Sequence, residues 1–221
     1  LNLVFSGHGK HLDCPTLRLT NHHGLMIAGE AALSNWDAGM DMYIYGKLGN
    51  LTMTKEGINV LMTNLTGKVP PILQRLDYIR FNGEAAGYLH DLTLTGLFHT
   101  GAGMVKTDVV MSIDEQSMSR TYSGSVASAD LDLGKLLNQE KKFGKVDFNV
   151  ELKGFNYKNR YPESYIKGII SSFEYSQYQY ENIMLDGVYK DGGFNGRLSM
   201  DDANGSVQID GKFNVVKTIP D

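Results

Sequence analysis

The chain has 221 residues, of which 42% are hydrophobic, which suffices for one large domain or two small ones with a modest core. A formal net charge of −4 argues against a nucleic-acid-binding surface, and no basic cluster favours binding to an anionic membrane. The single cysteine, Cys14, excludes an internal disulfide bond, and 25 glycines against 5 prolines favour many tight turns.

The first 24 residues contain a dispersed group of potential metal ligands. They are His8, His11, Cys14, His22 and His23. Histidine and cysteine side chains bind zinc, but this segment alternates like strands and contains no CxxC or HExxH motif. We therefore favour a structural or solvated role for these side chains, and we predict no metal and no cofactor.

Residues 1–129 are predicted to form a first set of strands with one short helix near 70–79. Segments such as TLRLT, GLMIAG, GINVLMT and DLTLTGLF are short and apolar, as expected of strands. In PPILQRLDYI the prolines fit a first helical turn, and Ile72, Leu73 and Leu76 share one face.

Residues 130–221 are predicted to begin with a second short helix and to continue as a second strand set, continuous with the first. The helix-like segment DLDLGKLL could be capped by Ser128 or Asp130. Its apolar stripe consists of Leu131, Leu133, Leu136 and Leu137. The strands that follow are joined by KDGG and DDANG, whose Asp-Gly and Asn-Gly pairs are typical of tight hairpins.

These patterns predict an all-β protein, a long antiparallel meander with one apolar face and one or two short helical plugs. Two short helices cannot cover the apolar face of a dozen strands, so the sheet must close, pack on a second sheet, or curl and leave a groove. The candidate groove residues share one parity along their strands. They are Val105, Val109, Met111, Ile113, Val146, Phe148, Val150, Leu152, Ile183, Leu185, Phe194, Leu198, Met200, Val207, Ile209 and Phe213.

Three segments of the chain resemble the AsmA-like superfamily, and within it the TamB-type proteins. The segments are YSGSVASADLDLGKLL, FGKVDFNVELKGF and YENIMLDGVYKDGGFNGRLSMDDANGSVQIDGKF. The resemblance covers residues 91–215, and residues 25–90 follow the same kind of pattern. It rests on patterns of glycine, leucine and alternation rather than on catalytic motifs.

The resemblance implies a periplasmic segment of a longer protein that is anchored in the inner membrane of Gram-negative cells. It implies a curled half-pipe, a β-taco-like sheet, whose apolar inner face carries phospholipid towards the outer membrane, and an outer-membrane barrel protein as partner. The chain begins without Met and shows no signal peptide or membrane span, so we expect a fragment. The leading hypothesis is therefore a non-enzymatic, lipid-handling segment.

Two alternatives stay open. An unpaired edge strand could add onto a client or a barrel partner by β-augmentation. A Tyr-rich stretch with Phe173, Tyr175, Tyr178 and Tyr180 could instead bind carbohydrate, although packing against cross-strand neighbours is the commoner use of such rings. The parity of this stretch slips between Tyr175 and Tyr178, which predicts a bulge or turn.

Three aspartates are candidates for the paired acids of a glycosidase. Asp186, Asp201 and Asp202 lie beside turn glycines. Because Asp side chains commonly bond to their own backbone in turns, we favour turn chemistry and expect no enzyme.

Overall fold

The computed structural model describes residues 2–114, 116–117, 119–156, 163–191 and 193–214. The strands form one antiparallel, 13-stranded sheet whose spatial order follows the order of the chain. They are β1 (Asn2–His8), β2 (His11–Thr20), β3 (Leu25–Ser34), β4 (Tyr43–Thr54), β5 (Tyr78–Tyr88), β6 (Asp91–Thr100), β7 (Gly103–Ile113), β8 (Arg120–Asp132), β9 (Phe143–Asn156), β10 (Glu163–Tyr175), β11 (Tyr178–Lys190), β12 (Gly193–Asp202) and β13 (Gly205–Asn214). Because β1 and β13 do not pair with each other, the sheet is an open meander, and the predicted fold class is confirmed.

The helices are α1 (Lys55–Thr66), α2 (Pro71–Gln74) and α3 (Leu133–Leu137). Helix α1 contains the segment GINVLMT, for which a strand was predicted, so that prediction is wrong. The Thr54 hydroxyl accepts a hydrogen bond from the Gly57 N–H at 3.2 Å, which caps the N-terminus. Gly67, at φ 73°, ends the helix in the left-handed conformation that glycine adopts without strain.

The two predicted helices are shorter than expected. The helix predicted over 70–79 is reduced to α2, because β5 already begins at Tyr78. Leu131 lies in β8, so α3 starts later than the leucine stripe suggested. Its cap is Asp132, whose carboxylate accepts the Lys135 N–H at 2.8 Å, rather than Ser128 or Asp130.

The core lies where the helices cover the sheet. Helix α1 packs against β4, β5 and α2, and α3 packs against β9. Ile58 of α1 is 1% exposed, and full burial of such a side chain stabilises the fold by about 1.5–3 kcal/mol. The buried cluster consists of Met53, Ile58, Leu76, Ile79 and Ala102.

Polar contacts join α3 to the segment that follows α2. The Lys135 ammonium group lies 2.6 Å from Asp77 Oδ2 and donates to the Gly101 carbonyl at 3.0 Å. The Arg75 guanidinium donates to the Leu136 carbonyl. The helical segments are therefore linked to each other across the ends of β5 and β6.

Paired glycines occur at two places on the face that carries Phe81, Val109 and Ile183, which we call the apolar face. Gly83 pairs with Gly96, and a Cβ built on Gly83 would lie 2.3 Å from the Thr95 carbonyl oxygen. The same crowding recurs in the second half of the sheet, at Gly187 and Gly196. Only glycine permits this close approach of a neighbouring strand and of the Phe81 ring.

The opposite face, which we call the polar face, carries a ladder of side chains with alternating charge on β9 to β13. Cross-strand pairing aligns Glu151, Lys167, Asp186, Arg197 and Asp210 over five consecutive strands. The Lys167–Asp186 and Arg197–Asp210 pairs are 3.7 and 3.4 Å long and solvent-exposed. Such pairs each contribute up to about 1 kcal/mol, so their main consequence is a hydrated outer surface.

The sheet exposes far more surface than a compact domain. The accessible area of the chain is 14238 Å², whereas a compact monomer of this length exposes about 10,000 Å². Strands contact their sheet neighbours, and among the described residues no second sheet lies on either face. One sheet with partial helical cover accounts for the excess.

Candidate functional site: the apolar face

The strand register places the candidate groove residues on the apolar face. Val105 lies opposite Ser128, which lies opposite Phe148, and the same pairing continues to Ile170 and Ile183. The remaining candidates fall into the same rows: Val109, Met111, Ile113, Val146, Val150, Leu152, Leu185, Phe194, Leu198, Met200, Val207 and Ile209. Phe213 pairs with Phe194 through the backbone, and its side chain lies outside the described residues.

The candidates differ in accessibility. Val146, Val150 and Ile183 are only 4%, 9% and 8% exposed, so they form the floor under their neighbours rather than an accessible wall. By contrast, Val207 and Ile209 on β13 are 44% and 40% exposed. Alternation does not encode this difference, since burial depends on what covers each residue, and the role of the candidates as an apolar wall for lipid stays a prediction.

The apolar face extends over β2 to β6, which the sequence analysis did not include among its candidates. Leu33 lies opposite Leu12 and Ile44, and further members of this half are Leu17, Leu19, Ile27, Leu48, Leu92 and Leu94. Register shifts at Cys14/Leu17, Ala28/Gly29 and Leu48/Leu51 change the parity within these strands. Alternation alone therefore misassigns their faces, and only the pairing of complete hairpins would have recovered them.

One polar atom on this face lacks a partner. The Thr107 hydroxyl is buried and makes no hydrogen bond with any described residue. Thr107 pairs with Gly96 and Val126, so it lies in the middle of the apolar face. Buried hydroxyls are normally satisfied, so Thr107 is an exception within the described part of this face.

The polar face carries shallow depressions, and two of them are larger than a third beside Tyr165 and Val188. One, of about 740 Å³, is lined by Glu30, Lys47 and Glu84 among others. The other, of about 520 Å³, includes the exposed Ile169 and Met184 beside the charge ladder. The apolar face, in contrast, is an extended wall rather than an enclosed cavity.

Two of the four histidines near the N-terminus, His11 and His23, form side-chain hydrogen bonds. His11 contacts the Ser34 hydroxyl at 2.6 Å and Asp13 at 2.8 Å. His23 contacts Glu56 of α1 at 2.7 Å. Across the described residues, no group of three potential metal-ligating side chains occurs.

The three aspartates lie on different faces. Asp202 pairs with Gly205 on the apolar face and accepts the Asn204 N–H at 2.8 Å, as expected of a turn. Asp186 and Asp201 lie on the polar face, and their strand positions place them four residues apart along neighbouring strands. At about 3.3 Å per residue, that separation exceeds the spacing of a glycosidase acid pair.

Comparison with known proteins finds no matching family model, no matching curated protein and no matching solved structure. No helix among the described residues is long and apolar enough to cross a membrane. The fold thus defines an open, curled all-β sheet with an apolar face. The AsmA-like resemblance rests on the sequence motifs alone.

Proposed function

We propose that the apolar face binds the acyl chains of phospholipid, and that the chain is a non-enzymatic, periplasmic segment of an AsmA-like, TamB-type protein that carries lipid between the inner and outer membranes. The observation that carries the proposal is the exposed apolar surface on β7 and β13. Met111, Val207 and Ile209 are 42%, 44% and 40% exposed, although their parity is that of core residues.

The energetics favour an acyl chain as the occupant. Each methylene removed from water contributes about 0.8 kcal/mol, so an acyl chain lying along several strands gains affinity at every step. The Lys167–Asp186 and Arg197–Asp210 pairs of the charge ladder lie on the opposite face, so a lipid tail on the apolar face would not have to desolvate them.

The test is lipid extraction and native mass spectrometry on protein purified from bacterial cells. We expect phospholipid to co-purify with the wild type and to fall about tenfold or more in the double variant Val207→Asp, Ile209→Asp. Both residues are exposed, so their replacement leaves the buried cluster intact. The matched control is Ser206→Asp with Gln208→Asp, which adds the same charges to the polar face of the same strand.

A folded wild-type protein without lipid, and with no affinity for phospholipid vesicles, would overturn the proposal. In that case a scaffold role gains support from a second observation. Within the described part of the chain, the outer edges of β1 and β13 pair with no strand. Such edges can accept an added strand, so an extended client peptide or barrel partner would be the next ligand to test.

A further inference from the structure

Aromatic side chains converge at one end of β9, β10 and β11. Phe173 pairs with Tyr180, and Tyr175 pairs with both Tyr178 and Phe143, so all of these rings lie on the apolar face. Ring centroids are 5.4 Å apart for Phe143 and Tyr175 and 4.6 Å apart for Tyr178 and Tyr180. The β10–β11 connection, with Ser176 at φ 51° and Gln177 at φ 69°, is the turn predicted from the parity slip. We call these five rings the aromatic rim.

The turn between β12 and β13 adds polar groups to the aromatic rim. The Tyr178 hydroxyl donates to Asp202 Oδ2 at 2.9 Å, and the Asn204 side-chain amide donates to the Tyr178 hydroxyl oxygen. The other Asp202 oxygen is held by the Asn204 N–H. Together with Tyr180 and Met200, these residues line a depression of about 310 Å³. Its polar groups are therefore fixed in place before any ligand arrives.

We propose that this depression binds the ring of a neutral sugar, a hexose or hexosamine, either free or as the head group of a glycolipid. An aromatic wall packs against the C–H face of a pyranose, while a carboxylate and an amide bond to its hydroxyls. The volume lies at the lower end of the range for ligand pockets, which suits a single ring.

Charge decides which sugars fit. The Asn204 backbone N–H and the Tyr178 hydroxyl both hold the pKa of Asp202 below its ordinary value. The carboxylate is therefore ionised at neutral pH, and it disfavours acidic sugars and phosphate by like-charge repulsion. It accepts hydrogen bonds from neutral or cationic rings.

The inference goes beyond the proposed function, because it adds a sugar ligand to the phospholipid proposed above, and only its glycolipid form rests on the acyl-chain groove. The depression shares Met200 and Val207 with the candidate groove. A sugar in the depression would thus place an attached alkyl chain along β12 and β13. A free sugar would use the depression alone.

The experiment measures binding to the full chain by NMR titration with three probes. They are methyl β-D-glucopyranoside, octyl β-D-glucopyranoside below its micelle concentration, and an octyl tetraethylene glycol ether with the same chain and no sugar. We expect the methyl glucoside to bind with a Kd of about a millimolar, and the octyl glucoside to bind about tenfold more tightly. Methyl β-D-glucuronide should bind more weakly than the methyl glucoside.

Two conservative variants test the residues. Tyr178→Phe keeps the ring and removes the hydroxyl, and Asp202→Asn keeps the shape and removes the charge. We expect each to weaken methyl glucoside binding by about tenfold. Tyr165→Phe is the control, because the Tyr165 hydroxyl donates to Asp186 at 2.8 Å in the same kind of pair on the polar face. It should bind the sugar like the wild type.

The outcomes separate the two proposals. If neither glucoside binds more tightly than the glycol ether, and the methyl glucoside does not bind, the sugar site is overturned. The lipid groove survives that result if the ether still binds and is lost in the Val207→Asp, Ile209→Asp variant. If both Tyr178→Phe and Asp202→Asn bind sugar like the wild type, the proposed site is wrong. If the methyl and octyl glucosides bind equally, the ligand is a free sugar and the groove contributes nothing.

Discussion

The covered part of the sheet and its last hairpin follow the same alternation but bury their apolar residues very differently. On β5, which α1 contacts, Ile79 and Phe81 are 8% and 6% exposed. On β13, Val207 and Ile209 are 44% and 40% exposed. Parity decides which face a side chain lies on, whereas burial depends on what covers that face. Both regions therefore carry the same apolar face, and the helices among the described residues cover only one part of it.

This difference has a direct thermodynamic consequence. Apolar burial stabilises in proportion to the area removed from water, so the free energy of unfolding comes mainly from the region under the helices. The uncovered region is held by strand pairing and by its cross-strand contacts. A ligand that covers it would add stability in the same way as α1 does.

The largest expected effect comes from removing the side chain that anchors α1. Ile58→Ala deletes a residue that is 1% exposed, and we expect it to lower the free energy of unfolding by about 2–5 kcal/mol. Ile209→Ala, the same chemical change on the uncovered strand, should cost about 0.5 kcal/mol or less. Urea denaturation of both variants without added lipid measures the contrast. Equal losses would show that the two regions are buried alike.

A second contrast compares a crowded glycine, Gly83, with an uncrowded one, Gly46. A Cβ on Gly83 would meet the Thr95 carbonyl oxygen at 2.3 Å and the Phe81 ring at 2.6 Å, so Gly83→Ala should cost about 1–3 kcal/mol. Gly46, on the neighbouring strand β4, has no atom within 4 Å of its built Cβ. Gly46→Ala should therefore be neutral or stabilise by about 0.5 kcal/mol, because it restricts the unfolded chain. Thermal unfolding of the Gly83→Ala and Gly46→Ala variants tests whether glycine is required where neighbouring strands approach closely.

The N-cap of α1 gives a smaller effect. Thr54→Ala removes the hydroxyl that accepts the Gly57 N–H and donates to the His23 carbonyl at 3.0 Å. We expect a loss of about 1 kcal/mol in the free energy of unfolding. Thr54→Ser retains the hydroxyl and should recover most of that loss. If serine and alanine destabilise equally, the methyl group rather than the cap matters at this position.

Much of the sheet could be predicted from the sequence, because strict alternation is a local property. The segment KVDFNVELK placed Val146, Phe148, Val150 and Leu152 on one face, and the register of β9 confirms this. Helix α1 was missed because its apolar residues fit both periods. Ile58, Val60 and Met62 alternate, whereas Ile58, Leu61 and Met62 share one face of a helix. The deciding signals were Thr54 before it and Gly67 after it.

The candidate site was only partly predictable. The face of each residue on β7 to β13 followed from parity, but the buried floor formed by Val146, Val150 and Ile183 did not, since it depends on contacts between elements distant in sequence. The sugar site was reached only as a Tyr-rich stretch. Its polar groups are Asp202 and Asn204. Asn204 lies 26 residues from Tyr178 in the sequence, and the pairing of β11 with β12 brings the two together.

The smallest expected effect concerns the link between the helical segments, and its pH dependence tests it. The hydrogen bond and the charge of Lys135 hold the pKa of Asp77 below its ordinary value. The folded state therefore releases this proton more readily than the unfolded state. The stabilisation is present above the ordinary carboxyl pKa, about 4, and is lost as the pH falls through the lowered pKa of the folded state.

Asp77→Asn should consequently be slightly less stable than the wild type at pH 7, and the difference should vanish in acid, where the wild-type carboxyl group is protonated. Because Asp77 is 62% exposed, the effect should also shrink in high salt. Urea midpoints of the two proteins between neutral and acidic pH measure it. A difference that persists unchanged in acid would assign the role of Asp77 to shape or hydrogen bonding and not to its charge. The stability of the covered region would then not depend on the charge of Asp77, and its contrast with the uncovered strands would rest on packing and hydrogen bonding.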